Sequence, residues 1–356
     1  MSKEISVKKV EHSRIGEVDF DNIPFGRVFS DHMFVSDYYN GQWQNHRIIP
    51  FGNFSVHPAS SALHYGQAIF EGMKASKLQD GTPALLRPEE HASRLNNSAR
   101  RLMMAEFPED LFVEAVSQLV ALDAEWIPPA EGSALYIRPY MFATDEFIGV
   151  RPSDTYTFCI FTGPVGPYYA KPVSLLVEQG YVRAVKGGTG EAKAAGNYAA
   201  SLLPAAEAQR KGFDQIMWMG GPDRQEIHEV GTMNIFFVIG GTVVTPVTDG
   251  PILKGITRKS IIEILRDNGY KVEERTLKID EVAAAYRAGN LKEVFGTGTA
   301  AVVSHVAKIQ YGDLAMELPS VADRKVGTFA KDYIDGLRSG RIEDKYGWTV
   351  PVGVAV

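Results

Sequence analysis

The chain has 356 residues, 45% of them hydrophobic and 22% charged, which allows two domains with buried cores and lies outside the composition of disordered or membrane-embedded proteins. A formal net charge of −6, from 37 basic and 43 acidic residues, gives no general attraction for nucleic acid or lipid, so an anionic ligand needs a local site. The eight histidines show neither cysteine partners nor His-x-x-x-His spacing, and no metal site is expected.

In chain order, residues 34–39 and 42–49 predict a hairpin turned at Asn40-Gly41. Two helices are expected next. One covers 89–104, with Ala92, Leu95, Ala99 and Leu102 on one face, and the other covers 108–125, with Pro108 in its first turn. Strands are expected at 134–142 and 156–161. The second holds the single cysteine, Cys159, in an apolar run where it reads as a core residue without a disulfide partner. Three prolines and two glycines between Thr162 and Pro172 stop both helix and strand and mark an interdomain linker.

The second half restarts with a strand at 173–177, a glycine-rich loop around Lys193, a helix at 198–211 and a strand at 215–219. After a turn at 220–223 come strands at 235–239 and 242–246 and a helix at 257–268. The expectation is a two-domain α/β (α+β) protein, with a smaller N-terminal domain (1–162), a linker (163–172) and a larger C-terminal domain (173–356). Residues 1–7 lack the apolar region of a signal peptide and carry an acid, Glu4, of the kind a transit peptide avoids, and no apolar run is long enough to span a membrane. A cytoplasmic protein in a reducing compartment is therefore expected.

Lys193 lies in Gly187-Gly188-Thr189-Gly190-Glu191-Ala192-Lys193-Ala194-Ala195-Gly196-Asn197-Tyr198. Three readings compete: a solvated lysine in a glycine-rich turn, a nucleotide P-loop, and a lysine that reacts covalently with a carbonyl. A P-loop requires Gly-Lys-Ser/Thr opening a helix, and here alanines follow the lysine. A carbonyl-reactive lysine predicts anion and ring-binding groups elsewhere. Gly255-Ile256-Thr257-Arg258 opens a predicted helix, whose unpaired amides form an anion site or an ordinary helix start capped by Thr257. Gly296-Thr297-Gly298-Thr299-Ala300-Ala301 reads as an anion nest or as a tight strand-to-helix turn. Arg94 could add a bidentate charge or stand as a solvated helical arginine.

Taken together and in order, seven blocks resemble the branched-chain aminotransferases, pyridoxal-phosphate enzymes of fold type IV. They are the run from His64 to Ala75, Arg87-Pro88 to Arg94, Leu135 to Pro139, Gly187 to Tyr198, Glu229 to Asn234, Gly255 to Arg258 and Glu293 to Ala300. The resemblance implies pyridoxal 5′-phosphate as cofactor, held covalently by Lys193, with Tyr198 bonded to its phenolic oxygen and Glu229 to its pyridine nitrogen. Arg94, the Ile256 and Thr257 amides and Thr299 would take the phosphate. It further implies a substrate pocket of Tyr65, Phe70 and Tyr136, with Thr299 and Ala300 on the α-carboxylate and Arg138 on the distal carboxylate of glutamate. Without the resemblance, the three aromatics read equally well as core, and Glu229 reads as a surface acid before a strand.

The implied reaction exchanges the amino group between branched-chain L-amino acids and 2-oxoglutarate by a reversible ping-pong route, with small-molecule amino and 2-oxo acids as partners, neither nucleic acid nor membrane, and a homodimer as the assembly. D-amino acid aminotransferase and aminodeoxychorismate lyase share the fold and the lysine. A non-catalytic phosphate-binding protein is the rival from another class. His305 and Lys254 stand where relatives commonly have proline, and the Cys-x-x-Cys of mammalian relatives is missing after Ala300, so thiol regulation of that kind is not expected.

Overall fold

A computed structural model describes residues 4–166 and 171–353. The chain divides into two compact units. One consists of Met1–Tyr168, Ala192–Gly196 and Asp335–Val356; the other of Tyr169–Glu191 and Asn197–Ile334.

The first unit is built on a nine-stranded sheet. Its strands run in the spatial order Ser6–Val7, Gln42–Pro50, His32–Tyr39, Tyr156–Val165, Ala134–Ala143, Met73–Lys77, Pro83–Leu86 and Thr349–Pro351, and Ala68–Phe70 also pairs with Ala134–Ala143. The predicted hairpin is present, with Asn40 and Gly41 both at positive φ, as a tight two-residue turn requires. Helix Pro88–Arg101 starts with proline in its first turn, carries Glu89 and Glu90 there and Arg100 and Arg101 in its last turn, and so complements its own dipole. It stops three residues short of the expected end because Met103 takes a left-handed conformation. Helix Glu109–Leu122 follows, preceded by Pro108. Leu95, Phe112, Val116 and Leu119 from the two helices share a core with Phe34, Phe107 and Phe158.

The linker reading is corrected at its start, because strand Tyr156–Val165 runs through Gly163-Pro164. Pairing with His32–Tyr39 ends at Phe161, so Pro164 sits where one strand edge is no longer paired to that neighbour and a missing N–H costs nothing. Gly163 is needed for closeness, since a Cβ there would lie 2.3 Å from the Val28 carbonyl oxygen. Linker residues 167–170 lie outside the described part.

The second unit holds another nine-stranded sheet, in the order Glu226–Val230, Gln215–Gly220, Val173–Val177, Val302–Tyr311, Leu291–Gly298, Asn234–Ile239, Thr242–Thr245 and Val272–Glu274, with Leu314–Glu317 on Val302–Tyr311. Helices Ile256–Asp267 and Ile279–Arg287 contribute Ile261, Ile264, Leu265, Ile279 and Val282 to buried positions. The helix expected at 198–211 is two helices, Ala195–Ala199 and Leu202–Arg210. Pro204 accounts for the restart, because a residue without N–H fits the first turn of a new helix and not the middle of a long one. The run from Gly296 to Ala301 joins two strands, not a strand to a helix.

The contiguous division at 163–172 differs from the compact units in two places. Residues 192–196 belong with the N-terminal part because the Phe70 amide donates to the Lys193 carbonyl at 3.0 Å and Ile69 bridges Ala194. The C-terminal stretch returns there because Thr349–Pro351 pairs with Pro83–Leu86. With these additions the unit founded on the N-terminal half has more residues than the other, the reverse of the expected proportion.

Candidate active site

In the first unit, Lys193 is fixed by its backbone at both ends. Its N–H donates to Ser98 Oγ at 2.9 Å, and its carbonyl accepts from the Phe70 amide. Its Nζ stands 4.7 Å from the centre of the Phe70 ring. The other face of this cluster is cationic and aromatic. Arg138 lies 4.8 Å over Phe70 and 5.3 Å over Tyr136 and donates through Nη2 to the Tyr136 hydroxyl at 3.0 Å, while its Nε is buried without a partner among the described residues. Gly72 makes room for Tyr136, since a Cβ there would be 2.3 Å from the phenolic oxygen. Phe25, given no role by the sequence, meets Tyr136 edge-on at 5.6 Å. Tyr65 lies at the end of the short helix Ser61–Tyr65 and is 42% exposed.

Arg94 is buried on helix Pro88–Arg101 and not a solvated surface arginine. Its Nε and Nη2 donate to the two oxygens of Glu71 at 2.7 and 2.8 Å, and His91 Nδ1 bonds the same carboxylate at 2.8 Å. Ser98, one turn further along the same face, closes the link to Lys193. A serine on the buried side of an amphipathic helix is a signal that the sequence did offer, because a buried hydroxyl needs a partner.

In the second unit, Glu229 lies on strand Glu226–Val230 and is buried, so the reading as a surface acid fails. Its Oε1 accepts from the Leu253 amide at 3.0 Å and Asn234 Nδ2 at 3.2 Å; its Oε2 faces Arg183 Nη2 at 2.8 Å. Asn234 also donates to the Leu253 carbonyl, and a Cβ on Gly255 would meet Asn234 Oδ1 at 1.9 Å. Glu229 and the start of helix Ile256–Asp267 are therefore locked together through one asparagine. That helix has no side-chain cap at Gly255, which leaves the amides of Ile256 and Thr257 to other acceptors. Asn234 pairs in register with Thr297, whose buried Oγ1 has no partner among the described residues. Thr299 and Ala300 form the half-buried turn just beyond. The arrangement suits an anion at the helix start and a cationic or N–H group near Glu229. Tyr198 sits in the short helix Ala195–Ala199, and neighbouring Asn197 ties the glycine loop by two bonds to Thr189.

His228 is packed so tightly that a Cβ on Gly220 would be 1.8 Å from its Cε1. Burial, and then the Arg183 charge, push its imidazole down to about 4, with Asp249 acting in the opposite sense. His91, His46 and His305 are lowered too, in each case first by burial. A histidine whose value falls on folding binds fewer protons in the folded state, so its stabilisation is complete above pH 6.5 and is lost as the pH falls toward 4. The Glu71 carboxyl, lowered on folding, loses its contribution only below its ordinary value of 4.5. The melting temperature is therefore expected to fall by several degrees between pH 6.5 and 4.5, since holding one imidazole neutral across that window costs roughly 2 kcal/mol. His228→Gln should flatten part of that slope. Differential scanning calorimetry across this window checks it, and an equal slope in both proteins would remove His228 as a cause.

Residues 68–309 match the amino-transferase class IV family, and the chain belongs to that family. Among its relatives, a probable branched-chain-amino-acid aminotransferase of Staphylococcus epidermidis is 46% identical over 99% of each chain. Branched-chain-amino-acid aminotransferase 2 of Bacillus subtilis is also 46% identical, over 99% of this chain and 98% of its own. Among solved structures, the branched-chain amino acid aminotransferase of Escherichia coli matches with a TM-score of 0.73 and 28% identity, covering 91% of this chain and 99% of the other. A T.th. branched-chain amino acid aminotransferase complexed with N-(5′-phosphopyridoxyl)-L-glutamate matches with a TM-score of 0.72 and 27% identity, covering 89% and 98%. The expected family and fold type IV are thus established.

Proposed function

We propose that this chain is a branched-chain-amino-acid aminotransferase, exchanging the amino group of leucine, isoleucine or valine with 2-oxoglutarate to give branched-chain 2-oxo acids and L-glutamate. The observation that carries the reading is Lys193, held by both backbone groups with its amine over an aromatic ring, in a chain nearly half identical over its full length to enzymes of that name.

The residues present fit pyridoxal 5′-phosphate. The helix start at Ile256 and Thr257, without a side-chain cap, and the Thr297 hydroxyl, without a partner among the described residues, suit a phosphate, and the buried Glu229 carboxylate suits a protonated ring nitrogen. Lys193 would hold the cofactor covalently, Tyr198 its phenolic oxygen, Glu229 its ring nitrogen, and Arg94, Ile256, Thr257 and Thr299 its phosphate. When bound, the cofactor supplies a reactive carbonyl and an electron sink for the pair left at the substrate Cα. The chain's own tasks are binding, orientation and proton transfer. Phe70 and Tyr136 present apolar walls to a branched side chain, Arg138 offers its charge at their rim to the distal carboxylate of glutamate, and the Thr299 and Ala300 amides take the α-carboxylate. The Lys193 amine, freed from the cofactor when the amino acid takes its place there, would take the proton from the substrate Cα and deliver it to the cofactor's former carbonyl carbon.

The protein is further read as a cytoplasmic homodimer. Tyr65, Leu63, Phe147, Ile148 and Val150 are exposed, and helix Ser61–Tyr65 and the 145–150 loop are joined by the Ser60–Glu146 bridge, so a second copy would remove one apolar patch from water. Among the described residues no helix is long and apolar enough to cross a membrane.

A panel of amino donors with 2-oxoglutarate tests the substrate class. Turnover of L-leucine, L-isoleucine and L-valine is expected, and activity on D-alanine with none on L-leucine would overturn it. Borohydride treatment followed by peptide mass spectrometry should find the cofactor's mass on Lys193, and mass on another lysine would remove that assignment.

A further inference from the structure

Glu71 is fully buried and does more than neutralise a charge. Its Oε1 accepts from Arg94 Nε, and its Oε2 from Arg94 Nη2, His91 Nδ1 and its neighbour's amide, Gly72 N, the last at 3.2 Å. Burial alone would raise this carboxyl, yet the Arg94 guanidinium, with the bonds from Arg94 and His91, holds it well below the usual carboxylate range. His91 is kept from charging chiefly by that same burial, so it serves as a neutral donor and the buried charges balance one to one. Neutralisation needs only one contact. Here the carboxylate is itself clamped by a ring and a backbone amide, and it grips the arginine along a whole edge.

A planar guanidinium bonded through Nε and Nη2 loses rotation about its last torsions, and its other edge is aimed in one direction. A lysine ammonium at this position could not be aimed in this way. The same helix turn continues to Lys193, because Ser98 Oγ bonds the Arg94 carbonyl at 3.1 Å and accepts the Lys193 amide.

We propose that Glu71 is a positioning residue that aims Arg94, and through Arg94 sets how tightly the phosphate end of the cofactor is held. The proposal rests on the reading of Arg94 as a phosphate ligand. It distinguishes the phosphate from the ring, because Glu71 acts only through the guanidinium.

The test measures Kd of the full chain, stripped of cofactor, for pyridoxal 5′-phosphate and for pyridoxal, which lacks the phosphate. Wild type, Glu71→Gln, Arg94→Gln and the double variant are compared by fluorescence quenching. Glu71→Gln is expected to lower the preference for the phosphorylated form by at least about tenfold, the scale of a charge-assisted hydrogen bond, while pyridoxal binding stays near wild type. The double variant should show no lower preference than Arg94→Gln alone. An unchanged preference in Arg94→Gln overturns the phosphate reading itself. A lowered preference in Arg94→Gln with an unchanged one in Glu71→Gln overturns the positioning role, as does an equal loss of both ligands in Glu71→Gln. If Glu71→Gln does not fold, Glu71→Asp keeps the charge on a shorter stem and should lower the preference; an unchanged value there likewise overturns the proposal.

Discussion

Lys193→Ala is expected to reduce transamination by at least about a thousandfold, because a positioned acid–base group alone supplies factors of about 10²–10⁴ and the covalent anchor goes with it. The geometry makes this a clean experiment. The bonds that place residue 193 use its N–H and carbonyl, to Ser98 and Phe70, so alanine retains both. What disappears is the amine over the Phe70 ring. The variant should therefore fold with a melting temperature close to wild type and still bind pyridoxal 5′-phosphate through the phosphate site. Turnover within about tenfold of wild type would remove Lys193 from the chemistry. Ser98→Ala makes the complementary change, keeping the amine but removing the acceptor of the half-buried Lys193 amide, and a smaller loss of turnover is expected from it.

The contrast between these two residues shows what the sequence discloses. Lys193 is legible because glycines and alanines leave its surroundings bare, and because the blocks around it occur in the order of a known family. The hairpin at Asn40-Gly41 and helix Pro88–Arg101 are legible for local reasons of turn chemistry and capping. Features decided by distant partners are not. Gly163-Pro164 looks like a strand breaker until Val28 is brought against it and pairing to His32–Tyr39 is seen to have ended. Residues 192–196 follow second-unit sequence yet bond to Phe70 and Ile69, so no contiguous division could place them. Glu229 reads as a surface acid because Leu253, Asn234 and Arg183, which offset the cost of its burial, lie 24, 5 and 46 residues away in sequence. Arg183 offers no signal at all.

Those partners also shape the second large effect. Glu229→Gln is expected to lower kcat by about a hundredfold or more, the scale of removing one preorganised electrostatic group from a reaction centre, because an amide cannot hold a proton on the ring nitrogen. The amide oxygen can still accept from Leu253 N and Asn234 Nδ2, so the start of helix Ile256–Asp267 and the phosphate contacts it offers stay in place. The amide nitrogen, however, then faces Arg183 Nη2, donor against donor, in a region where both side chains are nearly buried. Stability should fall as well, by roughly 1–3 kcal/mol for one unsatisfied buried charge contact. The two losses separate on measurement. Adding Arg183→Gln restores a neutral pair and should recover much of the melting temperature, but not kcat, because the carboxylate is still missing. Recovery of kcat alongside stability would show that Glu229 serves the fold and not the reaction.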